Sequence, residues 1–434
     1  MGKECEKKND KKEKNEAEKM KNEEEKKGKE KNRKEKNENP EKEREVLYWL
    51  SKLVILGAVS IRKIQEHFRS LGAFYEMMFE SGFSFACTSK EGVNNIEEKS
   101  TVEAFLEREC PFLSKRQQMA ILSHRANYET CKAEFEELSE RGMRFVIWCD
   151  EEYPEKLREI YDYPMGLFVR GKLPDQNHPV VAVVGARGCS EYGEQLAERF
   201  SMTLAENGVQ IVSGLASGID GASHRGALRA GKPTFGVLGC GVNICYPSEN
   251  FRIYEEMGRT GGILSEFGPD TPPKAMNFPM RNRIISGMAD AIVVVEARAR
   301  SGSLITADLG MEQGREIFAL PGRVTDHLSE GCNHLIQQGA HLVTSPEDVL
   351  QFLGVKYQKK LIIHEKNVNG LAKKEKLVYS CLDFKPKHLD QIVAQTGLGI
   401  SDCMGILLEL ELGGYVFRSA NHYYGKKSDM WENG

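Results

Sequence analysis

Long apolar runs are missing from this chain: no stretch of its 434 residues approaches the ~20 that a membrane-spanning helix needs. Its first residues hold no apolar signal core either, so the expectation is a cytoplasmic protein with no membrane partner. Net charge is scarce too. At −4 overall, a uniformly basic nucleic-acid coat is excluded, and a surface for nucleic acid has to be a local patch. The 11 cysteines include no Cys-x-x-Cys pair, Cys240 and Cys245 being the nearest two. That argues for reduced thiols, and neither a metal nor a cofactor is expected. Apolar residues are nearly absent from positions 1 to about 45, a Lys/Glu/Asn tract with interspersed, almost balanced charge. Burial there cannot offset the entropy of ordering, so residues 1–45 read as a solvated, disordered tail rather than a DNA-binding arm.

What the chain does have is concentrated between Phe278 and Gly322. An arginine-bearing helix, the apolar run Ala291–Glu296, the turn Ser301-Gly302-Ser303, a second helix and a second strand follow one another. Val-rich runs of this kind suit parallel strands covered on both faces. A small-residue turn opening a helix presents outward N–H groups to an anion. Arg281 and Arg283 add cationic donors. Earlier segments repeat the strand–turn–helix plan. Their turns lie at Gly185–Arg187, at Ser213–Gly218 before a helix with His224, and at Gly239 and Gly241. Strands alternating with helices in this way imply an α/β, doubly wound, mostly parallel Rossmann-like sheet over residues 131–355, junction included. Ligands of such sheets bind at the carboxyl ends of the strands, where these residues cluster.

The flanks read differently. Residues 46–130 have helical apolar spacing at Leu47, Leu50, Leu53 and Val54, and again at Ile61, Ile64 and Phe68. A turn at Gly57 suggests a small helical domain of the sterile-alpha-motif or helix-hairpin-helix kind. The hairpin's second glycine is absent, so a structural role is the better reading. Residues 356–370 form a polar, Lys-containing linker. Residues 371–426 carry three helical patterns and a β-like pair, Tyr415–Arg418 and Asn421–Tyr424, which reads as a winged-helix-like module. Its third helix, about Ile400–Leu412, has no Lys or Arg and bears Asp402, Glu409 and Glu411. Major-groove reading is therefore disfavoured and protein contact favoured.

The ordered motifs resemble those of the DNA-processing protein A (DprA/Smf) family over roughly residues 150–354. They are GxRxxSxYG at Gly185–Gly193, SGxAxGIDxxxH at Ser213–His224, LGxGVxxxYPxxN at Leu238–Asn250, SEF at Ser265–Phe267 and FPxRNRIISG at Phe278–Gly287. After these come EA…SGSLITA at Glu296–Ala307, ALPG at Ala319–Gly322 and GxNxLIxxGA at Gly331–Ala340. The chain departs from the family's usual residues at Ala186, Asn243 and Ser223. The resemblance implies a cytoplasmic, homodimeric binder of single-stranded DNA that helps load the RecA recombinase in natural transformation.

The residues themselves leave two function classes to weigh. For a nucleotide-binding or nucleotide-hydrolysing enzyme of related fold, Arg187 replaces the glycine a dinucleotide turn needs, and no acidic residue follows the second strand for a ribose. The PGGxGTxxE signature of nucleotide phosphoribohydrolases is missing as well. Glu266 and Glu296 each follow a strand and read as loop-orienting groups, so no catalytic residue is assigned. A phosphate-backbone binder needs cations, exposed amides and a face for stacking bases. Arg187, Arg281 and Arg283 meet the first need. Gly185, Ser213, Gly214, Gly239, Gly241, Ser301, Gly302 and Ser303 meet the second. Phe278, or Tyr246, meets the third. Phe278 is alternatively core, the Arg281 and Arg283 cations structural ion pairs, and His224 a structural histidine. Single-stranded DNA binding by the central domain is the reading the residues favour.

Overall fold

The computed structural model describes residues 40–79, 95–356, 372–383, 386–419 and 422–426. The chain forms two units, Met1–Tyr357 and Gln358–Gly434.

The first unit is built on a nine-stranded sheet: β1 (Arg144–Ile147), β2 (Gly166–Gly171), β3 (Val180–Val184), β4 (Gln210–Ser213), β5 (Thr234–Val237), β6 (Gly262–Ser265), β7 (Ala291–Val294), β8 (Glu316–Ala319) and β9 (His341–Leu342). Its order is β1-β2-β6-β5-β4-β3-β7-β8-β9. All pairings from β6 to β9 are parallel, while β1–β2 and β2–β6 are antiparallel. The expectation of a mostly parallel, doubly wound α/β sheet holds. Strand alternation splits its side chains between two faces. Ala182 and Val184 join Ile284, Ile285 and Met288 of the helix Asn277–Met288 on one face. Val181 and Val183 meet Leu196, Phe200 and Ala222 of the helices Glu191–Glu206 and Ile219–Arg229 on the other. The winding runs from β3 to β6 in one direction and resumes at β7 on the other side of β3. A crevice therefore opens beyond the carboxyl ends of β3 and β7, the position such sheets use for ligands.

The N-terminal helices do not pack as a separate body. Val46, Trp49, Leu50, Ile64, Phe74 and Leu106 share one buried cluster with Phe145, Phe168, Leu238 and Ile263 of the sheet region. The boundary expected at 130/131 is thus no break in packing; the helices cap the β1-β2-β6 end of one face. The tail boundary also needs correction, because a helix already spans Pro40–Ser51. Composition alone concealed this, since the charges of that segment find fixed partners. The buried Glu43 carboxylate accepts from the N–H groups of Leu71 (2.9 Å) and Gly72 (3.1 Å), capping the helix Leu71–Phe79. Arg44 pairs with Asp150 at 2.5 Å. Val54, expected on the helical face, lies beyond the end of that helix and is exposed. The rest of the expected tail lies outside the described residues, as does most of the expected linker.

The second unit has its own core of Val378, Leu389, Ile392, Leu407, Leu410 and Val416. Three helices, Lys373–Cys381, Leu389–Thr396 and Ile400–Leu412, accompany a sheet of order β10-β12-β11. The strands are β10 (Lys387–His388), β11 (Val416–Ser419) and β12 (Tyr423–Lys426). The winged-helix expectation holds, with both wing strands starting later than their sequence pattern suggested. Gly413 and Gly414, the latter at φ 72°, form the helix exit just before the expected run, and β11 begins one residue into that run. β10, two residues long, is too short to show a period. Among the described residues no single helix is long and apolar enough to cross a membrane, and no group of three or more His, Cys, Asp or Glu could hold a metal. The nine described cysteines are free thiols, and burial pushes the Cys240 thiol up to about 11.

Candidate nucleic-acid interface

A cavity of about 700 Å³ occupies the crevice at the β3/β7 switch. The β3 turn supplies Gly185, Ala186, Arg187 and Gly188; the β4 turn supplies Ala216 and Asp220; the β7 loop supplies Arg298, Arg300, Ser301, Gly302 and Ser303. Tyr246 comes from the loop after β5, and Phe278, Arg281 and Asn282 from the helix Asn277–Met288.

Close backbone approaches make this convergence possible. Gly218 sits at φ 72°, and a Cβ there would stand 2.5 Å from the carbonyl oxygens of Ala186 and Arg187. Only glycine lets the second turn lie against the first. Behind the first turn, Glu296 accepts from the backbone N–H (2.8 Å) and hydroxyl (2.5 Å) of Ser190, the N-cap of the helix Glu191–Glu206. Glu296 therefore fixes the Arg187 loop to β7. Glu266 lies elsewhere, bound to Arg283.

The cavity wall combines cations with aromatic rings. The exposed Arg187 guanidinium stands 5.1 Å over the Phe278 ring, and Phe278 stacks on the exposed ring of Tyr246 with centroids 5.7 Å apart. Half-buried Phe278 lies across Gly239, where a Cβ would meet its ring at 2.9 Å. Such a stack offers a π-face to any base, with a cation beside it for the adjoining phosphate. On the same cavity, Ser301 caps the helix Gly302–Glu312 by accepting from the Ser303 N–H, and its hydroxyl meets that of Ser303 at 2.7 Å. The positive end of this helix dipole lines the cavity, as do Arg298 and Arg300, both exposed.

Arg281 forms the floor. Its Nη1 donates to the carbonyls of Gly214 (2.8 Å) and Val237, and its Nε to Asn282 at 3.2 Å. Burial lowers its pKa to about 10, with nearby Asp220 opposing the shift and Arg187 adding to it. Arg281 therefore stays cationic at neutral pH. The buried Asp220 carboxylate accepts from Gly214 N–H at 3.1 Å; burial raises its pKa against the pull of Arg281. Asn282 donates to the Gly302 carbonyl at 3.2 Å, tying floor to helix cap.

Of the twelve residues chosen from sequence, the structure brings Gly185, Arg187, Phe278, Arg281, Ser301, Gly302 and Ser303 together around one cavity. Five stand behind it or elsewhere. Ser213 donates to Val183 O at 2.6 Å within the sheet. Gly214 backs the Arg281 guanidinium, Gly239 backs Phe278, and Gly241 accommodates the loop at Gly268–Asp270. Arg283 does not share the cavity with Arg187. It lies buried two residues along the helix from Arg281, with Glu266 at 2.7 Å and Asp162 at 3.0 Å. Two residues along a helix is a turn of ~200°, so Arg281 and Arg283 cannot face the same way. His224 is also remote from a catalytic role. It is fully buried beside Thr234 Oγ1 at 2.8 Å, and burial, with the charges of Arg281 and Arg225, lowers its pKa to about 3. Sequence reading missed Arg298 and Arg300. Their signal was there: two arginines spaced by one residue immediately before the Ser-Gly-Ser turn.

Comparison with known proteins sharpens these observations. The DNA recombination-mediator protein A family matches residues 144–354, and the DprA winged helix domain matches residues 365–422. DNA processing protein DprA of Streptococcus pneumoniae is 50% identical over 201 residues, covering 46% of this chain and 71% of the relative. Protein Smf of Escherichia coli is 42% identical over 286 residues, covering 64% and 76%. The X-ray structure of DprA from Streptococcus pneumoniae superposes with a TM-score of 0.52 at 39% identity, covering 61% of this chain and 90% of that one.

Proposed function

The chain belongs to the DNA recombination-mediator protein A family, and on that premise we propose that its β3/β7 cavity binds single-stranded DNA through phosphates and stacked bases. The observation that carries the reading is the Arg187–Phe278–Tyr246 stack at the cavity mouth. Arg298, Arg300 and the Ser301–Ser303 helix start line the same cavity. Phosphate contacts at Arg187, Arg298, Arg300 and the N-terminal turn of the helix Gly302–Glu312 fix the strand, and the rings accept whichever base arrives. Duplex DNA keeps its bases stacked on each other and offers none to the rings.

A binding role is preferred over the nucleotide-processing alternative because the nearby carboxylates are committed elsewhere. Glu296 is held by Ser190, Glu266 by Arg283, and Asp220 by backbone amides beside Arg281. The wider role we propose is cytoplasmic. The protein shields incoming single strands and helps load the RecA recombinase in natural transformation and recombination. The family's description as a recombination mediator supports this. Homodimerisation is part of the proposal, supported by one edge of the sheet, where β9 is the last strand among the described residues and Leu342 and nearby Phe352 are exposed.

The test is a titration of single-stranded and duplex oligonucleotides across salt concentrations. With about four phosphates neutralised, log affinity for single strands falls with log salt at a slope near ~−3. Equal affinity for duplex, or a slope near zero, overturns the proposal. Release of base from nucleoside monophosphates, lost in Glu296→Gln, would reinstate the enzyme reading.

A further inference from the structure

Two of the sequence motifs, ALPG and GxNxLI, have no part in the cavity wall. They meet in one clasp. Gly322 donates its N–H to Asn333 Oδ1 at 3.2 Å, and Asn333 Nδ2 donates to the Gly322 carbonyl at 3.1 Å. A Cβ on Gly322 would fall on the Ser329 hydroxyl, so the close approach needs glycine. The far end of the loop is pinned to the segment after β7. Ala297 N–H donates to the Leu328 carbonyl and Gly331 N–H to the Ala297 carbonyl, both at 2.8 Å. A Cβ on Gly331 would stand 2.9 Å from the Arg298 carbonyl oxygen.

What the clasp holds is not core. Every residue from Pro321 to His327 is exposed, Val324 to 88%. A loop fixed at both ends with nothing buried between them presents side chains rather than packing them. Its acidic groups are engaged. Asp326 accepts from the Leu328 N–H at 3.0 Å, and Glu330 pairs with His327 at 2.7 Å. Arg323 and the apolar tip Val324 are what the loop offers outward.

Its position selects the occupant. The loop leaves the carboxyl end of β8, and β8 is the sheet neighbour of β7, as β7 is of β3. Adjacent strands lie about 4.8 Å apart, so three strand ends span roughly 10 Å. Arg187, then Arg298 with Arg300, then Arg323 follow those three ends in order. Arg323 itself lies outside the cavity lining. Exposed cations continuous with a phosphate site, with an apolar side chain beside the last of them, fit the phosphates and one base or sugar face of an extended strand.

We propose that the loop Pro321–His327 is a second contact station for single-stranded DNA. A strand held in the cavity leaves it past Arg298 and Arg300 and crosses Arg323 and Val324. The station rests on the cavity reading and extends it toward β8.

The test is fluorescence anisotropy of the full chain with oligothymidylates of about 4 and about 10 nucleotides, lengths within the ~4–16 that single-strand-binding folds cover. The short strand occupies the cavity alone, and the longer one reaches the station. Arg323→Ala leaves the short strand's affinity unchanged. It weakens binding of the longer strand on the order of tenfold, the low end for a charge-assisted contact because the side chain is exposed. The log–log salt slope of the longer strand becomes shallower by ~0.7. Arg323→Lys restores most of the loss, since a phosphate also accepts a point charge. Asn333→Ala loosens the clasp and weakens binding of the longer strand alone. Thermal melting of both Arg323 variants matches the parent. Arg323→Ala that binds both lengths as the parent does overturns the station and leaves the cavity standing. An equal loss at both lengths also overturns it, because Arg323 would then belong to the cavity. A parent that binds neither strand overturns the cavity reading, and the station with it.

Discussion

Arg187→Glu tests the cavity at the residue where charge and stacking meet. Arg187 is exposed, its guanidinium over Phe278, and its charge bears unfavourably on buried Arg281. Replacing it removes one charge-assisted phosphate contact, worth about 1.5–3 kcal/mol. The new carboxylate adds repulsion of about 1 kcal/mol at 4 Å in a water-like dielectric. The sum, roughly 2.5–4 kcal/mol, corresponds to a loss of affinity on the order of a hundredfold to a thousandfold. Arg187→Ala isolates the contact itself: a smaller loss, and a log–log salt slope shallower by ~0.7. The assay is fluorescence anisotropy with a short labelled single strand at several salt concentrations, with thermal unfolding in parallel. Stability is unchanged or slightly raised, because removing a cation relieves Arg281. Arg418→Glu, on β11 of the separate C-terminal unit, leaves affinity unchanged. Native melting with unaltered affinity and slope in Arg187→Glu would refute the cavity as the DNA site. A collapse of the melting temperature would instead make Arg187 a structural residue.

Phe278→Ala weakens single-strand binding by about 1–3 kcal/mol, the worth of one stacked base, with an unchanged salt slope that separates stacking from phosphate contact. Arg283→Ala acts on stability, because it strands Glu266 and Asp162; a loss of roughly 3 kcal/mol in chemical denaturation is expected, at the lower end for buried pairs since Asp162 is half exposed. Removing residues 1–39 leaves folding and affinity intact. Removing 1–45 lowers the melting temperature, because Glu43 no longer caps the helix at Leu71, and equal melting of the two truncations would show the cap to be idle. His224 binds its proton only near pH 3 in the fold but near 6.5 when unfolded. The unfolded chain therefore takes up more protons as pH falls from about 6.5 to 3, and stability drops through that window. His224→Leu flattens that part of the acid limb; an unaltered limb would place the acid sensitivity elsewhere.

The sheet was legible because its signal is local. Val180–Val184 and Ala291–Val294 are Val-rich runs, each followed by a glycine or serine turn, and nothing in the tertiary structure contradicts them. The cavity turns were legible for the same reason. What sequence could not separate is which side of an element a charged residue serves. Arg281 and Arg283 look equivalent in FPxRNR, yet a helix sends one to the cavity floor and the other to Glu266. The glycines were misread in a similar way. Gly214 and Gly239 seemed to bare backbone for phosphate, whereas they make room for Arg281 and Phe278, the groups that form the site. Their contribution is to seat those two side chains.

The same distinction governs the N-terminal charges. A Lys/Glu tract with few apolar residues predicts disorder only while its charges have no fixed counterparts. Glu43 and Arg44 find theirs at Leu71 and Asp150, more than 25 residues away in sequence. Local composition cannot register a helix cap supplied from another segment. The consequence carries over to the cavity. Arg298 and Arg300 look like members of an unremarkable charged loop, and they matter because β7 pairs with β3 and brings that loop to the same cavity as Arg187. Reversing both charges should therefore weaken single-strand binding as much as Arg187→Glu does, though among the described residues no ring lies under either. If Arg298→Glu with Arg300→Glu left affinity and salt slope unaltered, the strand would run over the Phe278 side of the cavity alone. The phosphate contacts would then have to be counted from Arg187 and the backbone amides.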